Sequence, residues 1–367
     1  MCSGRSQLKL FRLLSAASAV ALLMLLPQTG VAAGRTGNVY VLTNQPTSNS
    51  VMVFHRDAAG ILSFVGSFAS GGVGAGTGPD PLGSQGPVAL NEDSRLLFAV
   101  NAGNNSISVF KVSGDSLALL DTVPSGGIEP ISLTVRDDVV YVLNASGTPN
   151  ISGFRIESEG CPCGRSKVLA PLSGSTQNLP GGAAAAPAQV AFSPDGGVLV
   201  VTEKKTNLID TFTLDADGVA QPGVSSPSSG STPFGFAFAH DDIAIVSEAA
   251  GGPGGTSALS SYEVEEDGSL HLVTPSVGDT QKAACWVVVP RNGKFAYTSN
   301  TGSGTISSYT VSRDGSLALL NVTAASTGTE PCAIGYVGES AGVGKVYALG
   351  PQVCPQEERP QAHKNRS

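Results

Sequence analysis

A repeated unit constrains the fold of this chain more than any other feature. Its clearest copy spans residues 286–326, where four short runs of alternating or β-branched residues are separated by Asn-Gly, Gly-Ser and Asp-Gly turns. The residue that ends the second run recurs 43 to 59 positions apart, as Asn44, Asn101, Asn144, Glu203, Glu248 and Asn300. Four-stranded units at about this spacing are typical of a β-propeller, in which sheets that are unstable alone bury one another.

The sequence therefore predicts an all-β fold, a β-propeller of four-stranded antiparallel blades over residues 34–354. Five units are complete, the first supplies strands two to four, and the last supplies only two strands. This strand count exceeds six blades and falls short of seven, so both numbers stay open at this point. Pairing of N-terminal with C-terminal strands would close the ring and protect its edges. Residues 355–367 are polar, and we expect a disordered tail there.

The first 33 residues have the pattern of a secretory signal peptide. Three basic residues, Arg5, Lys9 and Arg12, precede an uncharged, mostly apolar run over 13–26, and small residues follow at 31–33. A run of this length is too short for a membrane-spanning helix, which needs about 20 residues. We expect cleavage and export, to the periplasm or the extracellular space. A retained amphipathic anchor is the alternative.

Charge and cysteine content exclude several classes of protein. The net charge is −8, and it becomes more negative when the basic signal peptide is removed, which argues against nucleic acid and anionic membranes as partners. Five scattered cysteines outside the signal peptide are too few for a disulfide framework. Cys285 and Cys332 begin neighbouring inner strands in the same register, so a disulfide between them is one possibility. The glycine-rich link over 71–86 and the insertion over 161–186 are expected to be surface loops.

Propeller topology predicts the place of a functional site. The starts of inner strands and the ends of second strands meet on one face, around the central channel. Inner-strand starts contribute Gln189 and Trp286 as candidate substrate-binding residues, and second-strand ends contribute Asn144 and Asn300 in the same role. Asparagine at these positions could instead cap its own turn.

Two glutamates stand where the other blades carry asparagine. Glu203 is the candidate catalytic base, and Glu203 with Glu248 could hold a divalent cation such as Ca²⁺, which prefers carboxylate and amide oxygens. A surface ion pair between Glu203 and the lysines that follow it is the alternative. The four histidines lie away from the inner-strand starts, so no Ser-His-Asp or Cys-His arrangement is supported by spacing.

The unit over residues 187–218, with Phe-Ser-Pro-Asp-Gly and Asp-Ala-Asp-Gly turns, resembles the lactonase-like β-propeller family. That family includes propeller-type 6-phosphogluconolactonases and carboxymuconate-lactonizing (carboxymuconate cyclase-like) enzymes, and the chain is most similar to an exported branch. The resemblance implies seven blades, the last one eroded, and a lactone as substrate. Enzymes of the family have Pro-Arg-His at one inner-strand start and a glutamate at the end of the second strand. Here Pro187, Ala188 and Gln189 occupy the first set, so Glu203 matches whereas arginine and histidine do not.

Three functions follow as hypotheses. A lactone hydrolase would use Glu203 as base and take its cation from another blade. A metal-dependent hydrolase would use channel glutamates and asparagines as ligands. A non-catalytic exported propeller, a monomer, would bind a surface glycan or protein through its loops.

Overall fold

The computed structural model describes residues 36–76, 80–157, 168–250 and 256–328, and the backbone of two further strands at Ala333–Val337 and Lys345–Leu349. Several predictions fall on residues outside these ranges: the signal peptide over 1–33, the cysteines at 161, 163, 332 and 354, and the tail over 355–367. None of the described residues forms a helix with the length and apolar character that crossing a membrane requires.

The described strands form six blades and one additional hairpin. Blade 1 has three strands, at Gly37–Leu42 (β1), Ser50–Arg56 (β2) and Leu62–Ala69 (β3). Blade 2 has four, at Val88–Leu90 (β4), Leu96–Asn101 (β5), Ser106–Ser113 (β6) and Ser116–Pro124 (β7). Blade 3 has five, at Ile128–Arg136 (β8), Val139–Ser146 (β9), Asn150–Ile156 (β10), Leu169–Pro171 (β11) and Gln177–Asn178 (β12), because its outer edge is divided between the last two.

The second half of the chain repeats the same order. Blade 4 has strands at Pro187–Phe192 (β13), Val198–Glu203 (β14), Leu208–Thr213 (β15) and Val224–Pro227 (β16). Blade 5 has strands at Pro233–Phe238 (β17), Ile243–Glu248 (β18), Ala258–Val264 (β19) and Leu270–Gly278 (β20). Blade 6 has strands at Ala284–Val288 (β21), Phe295–Asn300 (β22), Thr305–Val311 (β23) and Leu317–Ser326 (β24), and β25–β26 is an antiparallel hairpin over the last two strands given above.

All strand neighbours within a blade are antiparallel and consecutive in the chain, apart from the divided edge of blade 3. The predicted all-β propeller of four-stranded blades is therefore confirmed. Two three-residue 3-10 helices, Ala102–Asn104 and Gly182–Ala184, are the helical elements of the described ranges.

Turn chemistry explains why the strands end where they do. The turn before β24 has Asp314 followed by Gly315, whose φ of 83° lies in the left-handed region that glycine adopts without steric cost. The Asp314 carboxylate accepts a hydrogen bond from the Ser316 amide at 3.1 Å, which fixes the turn between β23 and β24.

The core lies between the blades. Side chains on the two faces of each sheet pack against the two neighbouring blades, since strand residues alternate between faces. Between blades 3 and 4, for example, Tyr141 and Leu143 pack with Leu199, Val201 and Phe212, and all five are buried. Equivalent clusters join blade 1 to 2, 2 to 3, 4 to 5 and 5 to 6. Fully burying one such aliphatic or aromatic side chain contributes roughly 1.5–3 kcal/mol.

Candidate functional site

The side chains that end the second strands are buried between blades instead of facing the channel. Each is at most 1% exposed: Asn101, Asn144, Glu203, Glu248 and Asn300. We expected these side chains at the channel mouth, and in the structure each of them is buried. The reason is geometric, because side chains stand perpendicular to their sheet and in a propeller that direction leads to the neighbouring blade.

Glu203 is held by the link that leads into its own blade. Its Oε1 accepts a hydrogen bond from the Gly181 amide at 3.1 Å, and its Oε2 accepts one from the Thr206 hydroxyl. A β-carbon at Gly181 would overlap the Glu203 carboxylate, so this position requires glycine. The predicted base therefore has internal partners on both oxygens and no exposed surface.

Glu248 repeats this arrangement one blade further on. Its Oε1 accepts from the Gly230 amide at 2.9 Å, and a β-carbon at Gly230 would overlap the carboxylate. Each glutamate faces the blade that precedes it, so a sheet separates the two. Within the described ranges no three His, Cys, Asp or Glu side chains come together as metal ligands. The structure therefore identifies neither Glu203 nor Glu248 as a metal ligand.

The other predicted binding residues also have internal partners. Gln189 donates from Nε2 to the Phe236 carbonyl at 3.1 Å and accepts from the Phe236 amide at 2.8 Å. Trp286, only 4% exposed, donates from Nε1 to the Ser84 carbonyl at 2.9 Å. Asn144 donates to Asn150 at 3.0 Å, and Asn300 donates to Ser307 at 2.8 Å.

The predicted surface loop over 71–86 instead ends in the centre of the molecule. Residues 80–86, which we call the plug, lie across the inner strands of blades 3 to 6. The Gln85 side chain donates to the Phe236 and Val287 carbonyls, at 3.1 and 3.0 Å, and accepts from the Val287 amide at 2.9 Å. The Gln85 amide donates to the Ala188 carbonyl at 3.1 Å. The plug thus ties together blades that are far apart in sequence.

The plug contacts Lys204, a cation that the sequence analysis considered as part of a surface ion pair with Glu203. Lys204 donates from Nζ to the Gly83 carbonyl of the plug, and its ammonium lies 5.0 Å from the centroid of the Phe234 ring. Burial lowers the pKa of Lys204, and the negative charges of Asp80 and Glu129 oppose this effect. Lys205, the next residue, is exposed to solvent.

Asp80, a carboxyl group with a raised pKa, lies near Lys204. Burial raises the pKa of Asp80 to about 6, although the Lys204 charge lowers it. The Asp80 carboxylate accepts from the Gly83 amide at 2.9 Å, so it is fixed within the plug. Perturbed acid and base groups that lie together are characteristic of functional sites.

Cys285 borders the same cluster. Its thiol pairs with no other cysteine among the described residues and is 8% exposed, and burial raises its pKa to about 11, so the thiol form is neutral near pH 7. Its predicted disulfide partner, Cys332, lies outside the described residues, and that pairing stays a prediction.

Asp80, Glu129 and Lys204 form the candidate site. Glu129 has a left-handed backbone with φ of 59°, and its side chain accepts a hydrogen bond from the Ser146 hydroxyl. One sequence signal was available: Lys204 directly follows a second-strand end, where the chain turns on the channel face. A carboxylate that can take up a proton and an ammonium that can stabilise negative charge are the groups that ester hydrolysis needs.

Part of the chain matches a known protein family. Residues 76–248 match the family model described as lactonase, 7-bladed beta-propeller. Over these residues the chain is similar to the lactonase propellers. The matched part includes Asp80, Glu129 and Lys204, so the candidate site lies in the part of the chain on which the relationship rests.

Solved structures show the same fold at low sequence identity. A protein from Bacteroides uniformis ATCC 8492, named as a candidate 6-phosphogluconolactonase, is 20% identical with a TM-score of 0.60, over 78% of this chain and 81% of that one. The periplasmic gluconolactonase PpgL of Pseudomonas aeruginosa is 13% identical with a TM-score of 0.58, over 86% and 85%. A protein from Lactobacillus plantarum is 15% identical with a TM-score of 0.59, over 77% and 81%. No curated protein matches the chain.

Proposed function

We propose that this propeller hydrolyses a lactone on its channel face, with Asp80 as general base and Lys204 as the cation. The observation that carries this proposal is the position of the Lys204 ammonium, bonded to the plug at Gly83 and lying over the Phe234 ring. A cation was the group that the sequence lacked, since arginine and histidine are absent from the matching inner-strand start. The family match over 76–248 supports a lactone as the substrate class.

The reaction follows from these two groups. Asp80, once deprotonated, accepts a proton from water as the water oxygen bonds to the lactone carbonyl carbon. The carbonyl oxygen becomes an oxyanion, which the Lys204 ammonium stabilises. When the ring carbon–oxygen bond breaks, the ring oxygen takes the proton from Asp80 and a hydroxy acid leaves.

Glu203 acts in this proposal as a positioning residue. Both of its oxygens are engaged by internal donors, and its exposed surface is zero. It immediately precedes Lys204, so the bond between Glu203 and the Gly181 amide fixes the strand end from which the lysine extends.

The site of action is proposed to be outside the cytoplasm. The basic start, the short apolar run and the small residues at 31–33 support export. The substrate would then be a small lactone in the periplasm or the extracellular medium, and the acidic net charge of −8 disfavours nucleic acid as a partner.

A groove favours binding without catalysis as a second candidate function. It has a volume of about 540 Å³ and lies where the turn after β5 meets the link from blade 2 to blade 3. Its lining includes four residues, Asn104, Asn105, Ser106 and Thr122, whose side chains can hydrogen-bond a glycan or a protein loop.

The test is hydrolysis of a panel of γ- and δ-lactones of sugar acids, followed as acid release at constant pH. We expect kcat/KM to rise as the pH increases through about 6, because the raised pKa of Asp80 means that its carboxylate, the base, forms only near that pH. Asp80→Asn should lower kcat by about 10²–10⁴-fold, whereas Asp93→Asn, in an exposed turn, should leave it unchanged. A parent protein that is inert to every lactone would favour the binding function, and an active Asp80→Asn variant would remove Asp80 from the mechanism.

A further inference from the structure

Blade 4 differs from blades 2, 3, 5 and 6 at a buried position of its third strand. Residues paired with the second strand at this position are serine in four blades and aspartate in blade 4: Ser108, Ser152, Asp210, Ser260 and Ser307. In blades 2 and 6 the serine accepts a hydrogen bond from the asparagine that ends the second strand, at 2.7 and 2.8 Å. Blade 4 therefore replaces an amide and a hydroxyl by two carboxyl groups.

These two carboxyl groups face the same way. Asp210 pairs with Val201, two residues before Glu203, so both acids lie on the face of blade 4 that packs against blade 3. Both are completely buried. Asp210 Oδ1 accepts from the Ser225 hydroxyl at 2.5 Å, whereas Oδ2 meets no hydrogen-bond donor among the described residues. A buried carboxylate oxygen without a donor is costly, unless that oxygen carries a proton and donates it.

We propose that Asp210 and Glu203 share one proton, with Asp210 as donor, and that this pair positions the strand end that carries Lys204. The part that concerns Lys204 rests on the proposed function. The shared proton satisfies Asp210 Oδ2, and it leaves Glu203 as the single negative charge, which the Gly181 amide and the Thr206 hydroxyl stabilise.

The surroundings favour one proton over two charges. Glu203 is the charged group that acts on Asp210, and among the described residues of the link from blade 3 it is the Gly181 amide that bonds to Glu203. Ser225 and Thr206 contribute neutral hydroxyls from blade 4 itself. Burial and the Glu203 carboxylate raise the pKa of Asp210 to about 8. Like charges in one buried site cannot both form without a large energetic cost.

The pair also connects to the backbone next to the candidate site. The amides of Lys204 and Lys205 donate to the carbonyls of Ala186 and Ala185, each at 3.2 Å, in the same link that contains Gly181. Loss of the shared proton would place two carboxylates beneath this link. We therefore expect the link and the base of Lys204 to loosen at mildly alkaline pH.

The sign of the effect on folding follows from the pKa values of the two states. The folded protein keeps the Asp210 proton up to about pH 8, whereas the unfolded chain releases it near the ordinary value of 3.8. Stability from this group is therefore present at low pH and is lost as pH rises through that window. The folding equilibrium constant should fall by about tenfold per pH unit there, relative to a variant without the proton.

The experiment measures urea unfolding of the full exported chain between pH 5 and 9.5, for the parent, Asp210→Asn and Asp210→Ser. Asparagine keeps a donor without a titrating proton, and serine is the residue of blades 2, 3, 5 and 6. We expect the ratio of the parent's folding constant to that of either variant to fall steeply with pH up to about 8 and then level off. The matched control is Glu248→Gln, since blade 5 has Ser260 beside its glutamate, and its ratio to the parent should show no such slope.

Two outcomes overturn the proposal. Parallel pH profiles for the parent and both Asp210 variants would show that Asp210 does not hold a proton. An equal slope for Glu248→Gln would assign the pH dependence to buried glutamates in general. Neither result depends on catalysis. An inert parent protein would contradict the proposed function, but the unfolding experiment would still test the shared proton. If the lactone activity is present, Asp210→Asn should raise the pH at which kcat declines, which a merely structural residue would not do.

Discussion

At the scale of single residues, two buried glutamate carboxylates each pack against the backbone of a glycine. Gly181 has φ of −69°, which any residue can adopt, so its backbone conformation does not require glycine. The requirement comes from the Glu203 carboxylate, which occupies the space of a β-carbon at this position. The same relation joins Gly230 to Glu248, which indicates a repeated way of anchoring the link that enters a blade.

Gly181→Ala should therefore destabilise the protein by about 1–3 kcal/mol, the usual cost of adding a methyl group to a packed site. Gly37→Ala is the matched control, since nothing lies within 4 Å of its β-carbon position. Urea unfolding at pH 7 measures both. Equal stability of the two variants would show that the Glu203 carboxylate can move aside.

At the scale of elements, the plug is the segment on which the candidate site is built. It supplies Asp80 and the carbonyl that Lys204 contacts, and the Gln85 side chain bonds the inner strands of blades 5 and 6. These hydrogen bonds join residues 121 to 202 positions apart in the chain. No pattern within residues 71–86 reports such contacts, because glycine, proline and serine are equally common in exposed loops.

Removal of the Gln85 side chain tests the role of the plug. Gln85→Ala leaves the Val287 amide and the Val287 carbonyl without this partner, whereas the Phe236 carbonyl keeps the hydrogen bond from Gln189. Each orphaned buried group costs roughly 1–3 kcal/mol. We expect a clear loss of stability and of lactone hydrolysis together. Gln221→Ala, at an exposed glutamine, should change the free energy of unfolding by less than about 0.5 kcal/mol. Thermal unfolding and the rate of lactone hydrolysis are measured in parallel. A Gln85→Ala variant that is as stable and as active as the parent would contradict this role of the plug.

At the scale of the whole molecule, the sequence was sufficient for the architecture. The clearest copy of the repeat, over residues 286–326, coincides with the four strands of blade 6, and the two strands expected of the last unit are β25 and β26. Alternation and turn residues carry this information because they act over a few neighbouring positions. The fourth strand of blade 3 was harder, since its outer edge is divided between Leu169–Pro171 and Gln177–Asn178.

The candidate site was only partly accessible to sequence reasoning. Glu203 and Asn300 were placed at the correct strand ends, but their side chains point to a neighbouring blade, which depends on how sheets pack around the axis. Lys204 and Asp80 are 124 positions apart, and the plug alone brings them to the same face. The sequence was sufficient to recognise the resembled family, whereas the tertiary structure was needed to select Lys204 as the proposed cation of the site.

The claim that lactone chemistry runs through Lys204 is tested most directly by comparing two adjacent lysines. Lys204→Met keeps the length of the side chain and removes the ammonium that lies over Phe234, while Lys205→Met makes the same change at an exposed position. The measurement is kcat on the lactone that the parent hydrolyses fastest. We predict a loss of about 10²–10³-fold for Lys204→Met and no change for Lys205→Met, as expected when one oxyanion-stabilising group is removed. Full activity of a folded Lys204→Met variant would contradict the assignment of this site.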